Sequence, residues 1–331
     1  MKIVVDAMGG DHAPAAVVAG VVEALKEFSS PITLIGLADQ IEAELKKFSY
    51  PPDLLEIMHA PETIDMHEPA TVSIRKKRNS SITLGIELLK KTGHDAFVSA
   101  GNTGAVVCAS TVNLGMIKNV ERPGIGLVIP TVNRFSFILD VGANTDPKPA
   151  HLLHYSQMAS VYVREVLGIP EPKIGLLNIG SEEGKGTDFE KETHKLLQEK
   201  LKTSFYGNIE PNEVYMGRCD CIVCDGFVGN VLLKVSEGLM EAAGMVIKRE
   251  VKKDPLAFLG AFIMQNRLRE IRKLADYSEY GGAPLLGVDG IVMISHGRSN
   301  PKAIKNAIRA AKREVEHNII SHIKETITES L

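Results

Sequence analysis

The 331-residue chain has no tryptophan, and aromatic residues make up only 5% of it. Binding surfaces that stack nucleobases on aromatic rings are therefore not expected. Charge adds no reason to expect nucleic acid either. The chain carries 38 Lys and Arg against 41 Asp and Glu, a formal net charge of −3, which gives no general attraction to a polyanion. Long apolar runs are also missing. No stretch approaches the roughly 20 apolar residues that cross a bilayer. The apolar run inside the opening "MKIVVDAMGGDHAP" is far shorter than the core of a signal peptide, so a cytoplasmic location is expected.

Cysteine is scarce, and the common catalytic signatures are absent. Three of the four cysteines fall in "CDCIVC", but no second cluster and no nearby His accompany them. Cys108, Cys219, Cys221 and Cys224 are therefore read as small core residues, with neither metal nor disulfide expected. There is no G-x-S-x-G elbow and no evident Cys-His pair, so a covalent acyl-enzyme is not indicated. H-E-x-x-H is absent, and no G-x-G-x-x-G follows the first apolar run. That leaves a zinc hydrolase and a standard dinucleotide site without support.

What the chain does have is 44% hydrophobic content, arranged as short apolar runs alternating with helical periodicity. Strands are expected at residues 2–6, 32–36, 54–58, 95–100, 125–130, 136–142, 173–180, 221–226 and 290–297. Several are unbroken apolar runs, the pattern of parallel strands covered on both faces. Helices fit between them at 13–28, 80–92, 103–116, 148–167, 187–203 and 300–328. The expectation is a three-layer α/β sandwich with a mainly parallel sheet, forming one two-lobed domain over residues 1–331. Residues 229–276 depart from the alternation and read as a protruding helical hairpin.

The ends of the expected strands carry loops rich in Gly, Asn and Asp: "DAMGGDHAP", "SAGNTGA", "DVGAN", "NIGSEEGKG", "DGFVGN" and "SHGRSN". In a parallel sheet such ends share one edge, where ligands bind. Individually, Gly9, Gly10, Gly104 and Gly226 read as turn formers, and Asn102, Asn144 and Asn230 as caps. Together they make a site. "NIGSEEGKG" resembles a nucleotide phosphate loop but does not fit one. Only three residues separate Gly180 from Gly184, and Gly186 stands where a Mg²⁺-binding hydroxyl belongs. Thr187 and Glu190 form a capping-box pattern, so a helix N-terminus and Lys185 face the same spot. The stretch reads equally as an anion site or as an ordinary strand-to-helix turn. The chemistry singled out is N–H groups, amides, Lys185, His12 and Arg298, which suits anion and oxyanion binding.

"VVDAMGGDHAP", "SAGNTGA", "RPGIG", "DVGAN", "NIGSEEGKG" and "DGFVGN" occur in order along essentially the whole chain. In these motifs it resembles the bacterial phosphate acyltransferase family. The resemblance implies a fold like the isocitrate and isopropylmalate dehydrogenases and phosphotransacetylase, in a homodimer without a cofactor. It implies transfer of a fatty acyl group from acyl carrier protein to inorganic phosphate, and delivery of the acyl phosphate to a membrane glycerol-3-phosphate acyltransferase. A metal-dependent hydroxyacid dehydrogenase on a related fold and a non-enzymatic membrane-docking scaffold are the alternatives. Within the first reading Lys185, Asn230, Asn102 and His12 are the catalytic candidates. Gly9, Gly10, Asp11, Thr103, Gly104, Asn144, Gly180, Ser181, Gly184, Asp225 and Gly226 are expected to shape the phosphate and thioester site, with Asp225 as a positioning residue.

The hairpin carries two further expectations. Ala242, Ala243 and Gly244 allow close helix approach, so a dimer bundle is expected there. "PLAFLGAFIM" has no charge, and Leu256, Phe258, Leu259, Phe262 and Ile263 are expected to touch a membrane. Basic residues at 248–253, with Arg267, Arg269, Arg272 and Lys273, form a collar for an anionic surface.

Overall fold

The computed structural model describes residues 1–91, 93–267 and 281–329. Eleven strands form one sheet in the order β3-β2-β1-β4-β11-β10-β5-β6-β9-β7-β8. The strands are β1 Ile3–Asp6, β2 Ile32–Gly36, β3 Leu55–His59, β4 Ala96–Ser99, β5 Gly124–Pro130, β6 Phe135–Leu139, β7 Ile174–Leu177, β8 Phe205–Ile209, β9 Cys221–Val223, β10 Ala283–Leu286 and β11 Ile291–Ile294. Strands β8 and β10 fall outside the sequence expectation. The helices are α1 Ala15–Glu27, α2 Ala38–Leu45, α3 Ala70–Lys76, α4 Ser81–Lys91, α5 Thr103–Asn113, α6 Pro149–Glu165, α7 Asp188–Leu201, α8 Gly226–Lys253, α9 Pro255–Ile263, α10 Pro301–Glu316 and α11 Ile319–Glu329. Among these, α2 and α3 were not anticipated. The single helix expected over 300–328 is two, broken near Asn318, whose φ is +46°.

The sheet has two parallel halves. One is β3-β2-β1-β4-β11 and the other β6-β9-β7-β8. Strands β10 and β5 join them through antiparallel pairings. Three antiparallel pairings in succession make the two halves run in opposite directions. The single shared loop edge expected from the sequence is therefore replaced by two edges. Register explains how one site still forms. Ile294 pairs with Ala283, Leu285 with Ile125, and Leu139 with Gly126. The halves are offset along the joining strands, so β11 and β6 end at nearly the same level from opposite sides. Both carboxyl-terminal edges face the junction.

Helices cover the sheet on both faces. Val5, Leu34, Val98 and Met293 pack under Val18 and Val22 of α1 and Ile304 and Ile308 of α10. Close approach of these two helices requires Gly20, where a Cβ would lie 2.6 Å from Ile304 Cβ. On the opposite face Val4, Phe97 and Val292 meet Ile82, Ile86 and Val106, and this core continues through Ile125 and Ile138 to Ile222 in the second lobe. A third cluster holds Phe137, Leu139 and Val223 against Tyr155 and Tyr162 of α6 and Ile323 of α11. Helix α8 differs from all of these, since only Gly226 and Gly229 in it are buried. Beyond those first turns it projects from the body, and α9 follows after a cap by Asp254, whose side chain accepts from the Leu256 N–H at 2.8 Å.

Candidate active site

The opposed loop edges enclose a cleft of about 650 Å³. The first lobe contributes Asp11, Thr103, Gly104 and residues 295–299, and the second contributes Val141, Gly142, Thr145, Gly226, Phe227, Asn230 and Lys234. Two helix N-termini open onto it, those of α5 and α8. Each brings the partial positive charge of a helix N-terminus.

A buried aspartate at a strand end ties down the loops of each lobe. In the second lobe Asp140 accepts from four backbone N–H groups, those of Ile125 at 2.9 Å, Gly142 at 2.9 Å, Ala143 at 3.0 Å and Asn144 at 2.7 Å. These bonds set the "DVGAN" loop, where Gly142 has φ +144°. Burial pushes the Asp140 carboxyl up, against the pull of these donors. In the first lobe Asp6 accepts from Ser99 Oγ at 2.7 Å and the Met8 N–H at 3.0 Å. Burial raises its pKa as well, against the Ser99, Ser81 and Met8 donors.

Glycine permits the loops to touch backbone to backbone. A Cβ on Gly9 would lie 2.5 Å from Gly101 N, and one on Gly10 would lie 2.8 Å from Gly297 O. The Asp11 N–H donates to that same Gly297 oxygen at 2.8 Å. The loops after β1, β4 and β11 are thus one packed unit. Helix α8 seats on the Asp140 loop by the same means, since a Cβ on Gly226 would lie 2.7 Å from Asp140 Oδ2.

The expected site residues separate into groups. Asp11, Thr103, Gly104, Gly226 and Asn230 line the cleft. Among the described residues the exposed side-chain amide of Asn230 has no hydrogen-bond partner. Gly9, Gly10, Asn102, Asn144 and Asp225 build the walls. Asn102 Oδ1 caps α5 through the Ala105 N–H at 3.0 Å, and its Nδ2 donates to the carbonyls of Asp65, Met66 and Glu68 at 3.0–3.2 Å. That amide is fully engaged, which makes Asn102 a positioning residue. Asn144 Nδ2 donates to Tyr155 Oη at 3.3 Å, and Asp225 Oδ1 caps α8 through the Phe227 and Val228 N–H groups. His12 is exposed at the surface and does not line the cleft.

The "NIGSEEGKG" loop follows β7, the neighbour of β9 in the second lobe. Gly180 is buried there, while Ser181, Gly184 and Lys185 are exposed, and none of the four lines the cleft. Lys185 Nζ lies 3.8 Å from Glu182 Oε1. The capping box at Thr187 and Glu190 is present, with the Thr187 N–H donating to Glu190 Oε2 at 2.6 Å.

Sequence reasoning assigned no role to His296, Lys234 or Glu237, all of which line the cleft. His296 lay within a loop noted for its composition, but Lys234 and Glu237 sit unmarked inside a long helix. His296 Nδ1 accepts the Arg298 N–H at 3.1 Å, so a neutral ring carries its proton on Nε2. Lys234 Nζ approaches that nitrogen at 3.5 Å and pairs with Glu237 at 2.9 Å. Burial, then the Lys234 charge, lowers the His296 pKa and keeps the ring neutral at pH 7.

This arrangement of two opposed parallel half-sheets is a fold shared with phosphotransacetylases. The phosphotransacetylase of Streptococcus pyogenes superposes with a TM-score of 0.62 at 17% identity, covering 95% of this chain and 94% of that one. The 4-hydroxythreonine-4-phosphate dehydrogenase of Klebsiella pneumoniae shares the fold at a TM-score of 0.54 and 14% identity, with 95% and 99% covered. The chain belongs to the fatty acid synthesis protein family, which it matches over residues 1–322. The phosphate acyltransferase of Desulfitobacterium hafniense is 47% identical over 328 residues, spanning 99% of this chain and 98% of that protein.

Proposed function

We propose that the protein is a phosphate acyltransferase that moves a fatty acyl group from acyl carrier protein to inorganic phosphate, with the reaction in the interlobe cleft. Near-full-length identity of 47% to a phosphate acyltransferase carries the reading, and the cleft supplies the chemistry. A phosphate monoester has a second pKa of about 6 and inorganic phosphate titrates about one unit higher, so a substantial share of it is the dianion nucleophile at neutral pH. Its oxygen attacks the thioester carbonyl carbon. The tetrahedral oxyanion collapses, the C–S bond breaks and the sulfur leaves as a thiolate, whose thiol pKa of about 8.5 requires no strong acid. The protein's task is orientation and charge stabilisation. The N-termini of α5 and α8 favour the anion. The amide of Asn230 and Nε2 of His296 are the donors for phosphate or the thioester oxygen. Lys185 has one loose ion pair on an exposed loop of the same lobe. It stands outside the cleft lining, and neutralising phosphate is the role that the proposal gives it.

The hairpin completes the proposal as a homodimer contact and a peripheral membrane anchor. Val235, Leu239 and Val246 are exposed along α8, and Leu256, Phe258, Leu259, Phe262 and Ile263 are exposed along α9. Among the described residues no helix is long and apolar enough to cross a membrane. Arg269, Arg272 and Lys273 of the basic collar lie outside the described residues. A peripheral anchor places the acyl phosphate beside the membrane glycerol-3-phosphate acyltransferase that consumes it.

The test is incubation with acylated carrier protein, with and without phosphate. Free carrier thiol and a hydroxylamine-trappable acyl phosphate should appear only when phosphate is present. Thiol release at the same rate without phosphate would sink the proposal. Reduction of a nicotinamide cofactor by a hydroxyacid substrate would favour the dehydrogenase alternative.

A further inference from the structure

A second, apolar groove of about 320 Å³ adjoins the cleft, between α3, α5 and the loop after β6. Its floor is one stripe of α5: Gly104, Val107, Cys108, Thr111 and Val112. These positions are spaced i, i+3, i+4, i+7 and i+8, so they share a helix face. The opposite face, with Ala105, Val106 and Ala109, is fully buried in the core. The stripe is apolar yet turned outward, and Val112 is 68% exposed. Thr71 of α3 and Ala143 form the walls. The Thr111 hydroxyl donates to the Val107 carbonyl at 2.8 Å, leaving its methyl to the groove.

We propose that this groove holds the fatty acyl chain of the substrate thioester. The inference rests on the reading of the cleft as an acyl-transfer site. The groove and cleft share Gly104 and Gly142, and these glycines form the passage between them. Both are exposed. At Gly142 a Cβ would lie 3.9 Å from the Cβ of Asn230, so the passage opens beside an amide assigned to phosphate or the thioester oxygen. From Gly104 to Val112 the floor runs about 12 Å at the helical rise, which accommodates a train of methylenes. The lining carries no charged side chain, and the nearby charge of Arg75 lies on α3 by Cys108. A pantetheine arm, with its amides, would find no matching donors on this floor, whereas a hydrocarbon chain matches it.

Each buried methylene changes affinity on the order of fourfold, so shortening the groove should penalise long chains selectively. Val112→Trp and Thr111→Trp place bulk at the end of the α5 stripe farthest from the passage. With octanoyl-carrier and palmitoyl-carrier thioesters, each variant should lose at least about tenfold in kcat/KM for palmitoyl and stay within about threefold for octanoyl. Equal losses for both donors, or none for either, would overturn the proposal.

A binding readout independent of turnover uses Cys108 in the parent protein. Palmitate should slow its alkylation by a maleimide far more than octanoate does. This arm also decides the matter if the Trp variants do not fold. Protection by pantetheine without protection by palmitate would assign the groove to the carrier's arm and overturn the proposal. Protection that rises with protein concentration alone would assign it to a second copy, with the same consequence. Palmitate protection in a protein that shows no phosphate-dependent transfer would leave the fatty-chain site standing and remove the reaction assigned to the cleft.

Discussion

The lobe junction and the α8–α9 hairpin both reverse the usual placement of residues, and they reverse it in opposite senses. At the junction carboxyl groups are buried: Asp6, Asp140 and, on α10, Glu314. On the hairpin large apolar side chains face outward, with Leu256 at 78% exposure and Leu239 at 66%. Asp140 resolves its burial inside the chain through four backbone N–H donors. Among the described residues the hairpin has no such internal resolution, since a Cβ added at Gly238, Gly244 or Gly260 would meet nothing within 4 Å. Buried polar groups are retained where they hold a loop in place. Exposed apolar stripes on this scale are retained where something external covers them.

The largest expected effect comes from Asp140→Ala. It strands four N–H donors beneath the cleft and should cost roughly 3–5 kcal/mol in urea unfolding, together with most of the activity. Asp6→Ala, with fewer donors to strand, should cost about 2 kcal/mol. Equal costs would break the link between the number of donors stranded and the stability lost.

Asn230→Ala separates chemistry from scaffold. Its amide is exposed and makes no contact that holds a loop, so stability should stay within about 0.5 kcal/mol of the parent. Turnover should fall about 10²–10³-fold, the usual loss for an oxyanion-type donor. Lys185→Ala is expected to lose activity with the same silence in stability. Near-normal activity in either folded variant would remove that residue from the proposed mechanism.

Glu314 sharpens the comparison because its burial is poorly resolved. Burial pushes its carboxyl up to about 8, and the Tyr162 hydroxyl only partly opposes this. A folded pKa above the unfolded value means that stability is fully present below about pH 4.5 and is lost as pH rises toward the folded value. The fall between pH 5 and pH 8 should be roughly 3 kcal/mol. In Glu314→Gln that fall should be absent, making the variant more stable than the parent at pH 8. A parent whose stability stays flat over this interval would show that Glu314 finds compensation on ionising.

How much of this was legible varies with the kind of information involved. Strands β1, β2, β4 and β11 are short, mostly apolar runs, and sequence alone locates them. "FYGNI" and "APLL" became strands β8 and β10 with Gly207 and Pro284 inside them, composition that argues locally against a strand. Helix α3, "ATVSIRK", contains the β-branched residues Thr71, Val72 and Ile74 and follows Pro69, so its local preference is weak. The glycine loops of the cleft were visible as composition. Their arrangement was not, because strand direction follows from the β10 and β5 pairings, which no local pattern encodes. Lys234 and Glu237 were hidden because a charge on a long helix reads as a solvated face until the fold turns that face toward a cleft. The packing of Asn102 was hidden for a related reason: its three carbonyl partners lie 34–37 residues away in sequence.

The smallest effect per residue, and the sharpest test of the external half of the comparison, concerns the hairpin tip. If the apolar tip inserts into a bilayer surface, Leu259→Glu and Phe262→Glu should abolish flotation with vesicles containing anionic lipid. Both should leave the mass by light scattering and the activity toward soluble acyl-carrier substrate as in the parent. The basic residues at 248–253 act differently. Each contributes about 1 kcal/mol near an anionic leaflet, and that contribution is screened by salt. Lys252→Gln should therefore weaken vesicle binding by only about fivefold at low salt and hardly at all at high salt. The tip substitutions should weaken it at any salt concentration. Vesicle binding by the tip variants equal to the parent's would mean that the exposed apolar surface is covered by protein. In that case a monomeric mass for Leu239→Glu, on the arm of α8, would identify the cover as a second copy of the chain.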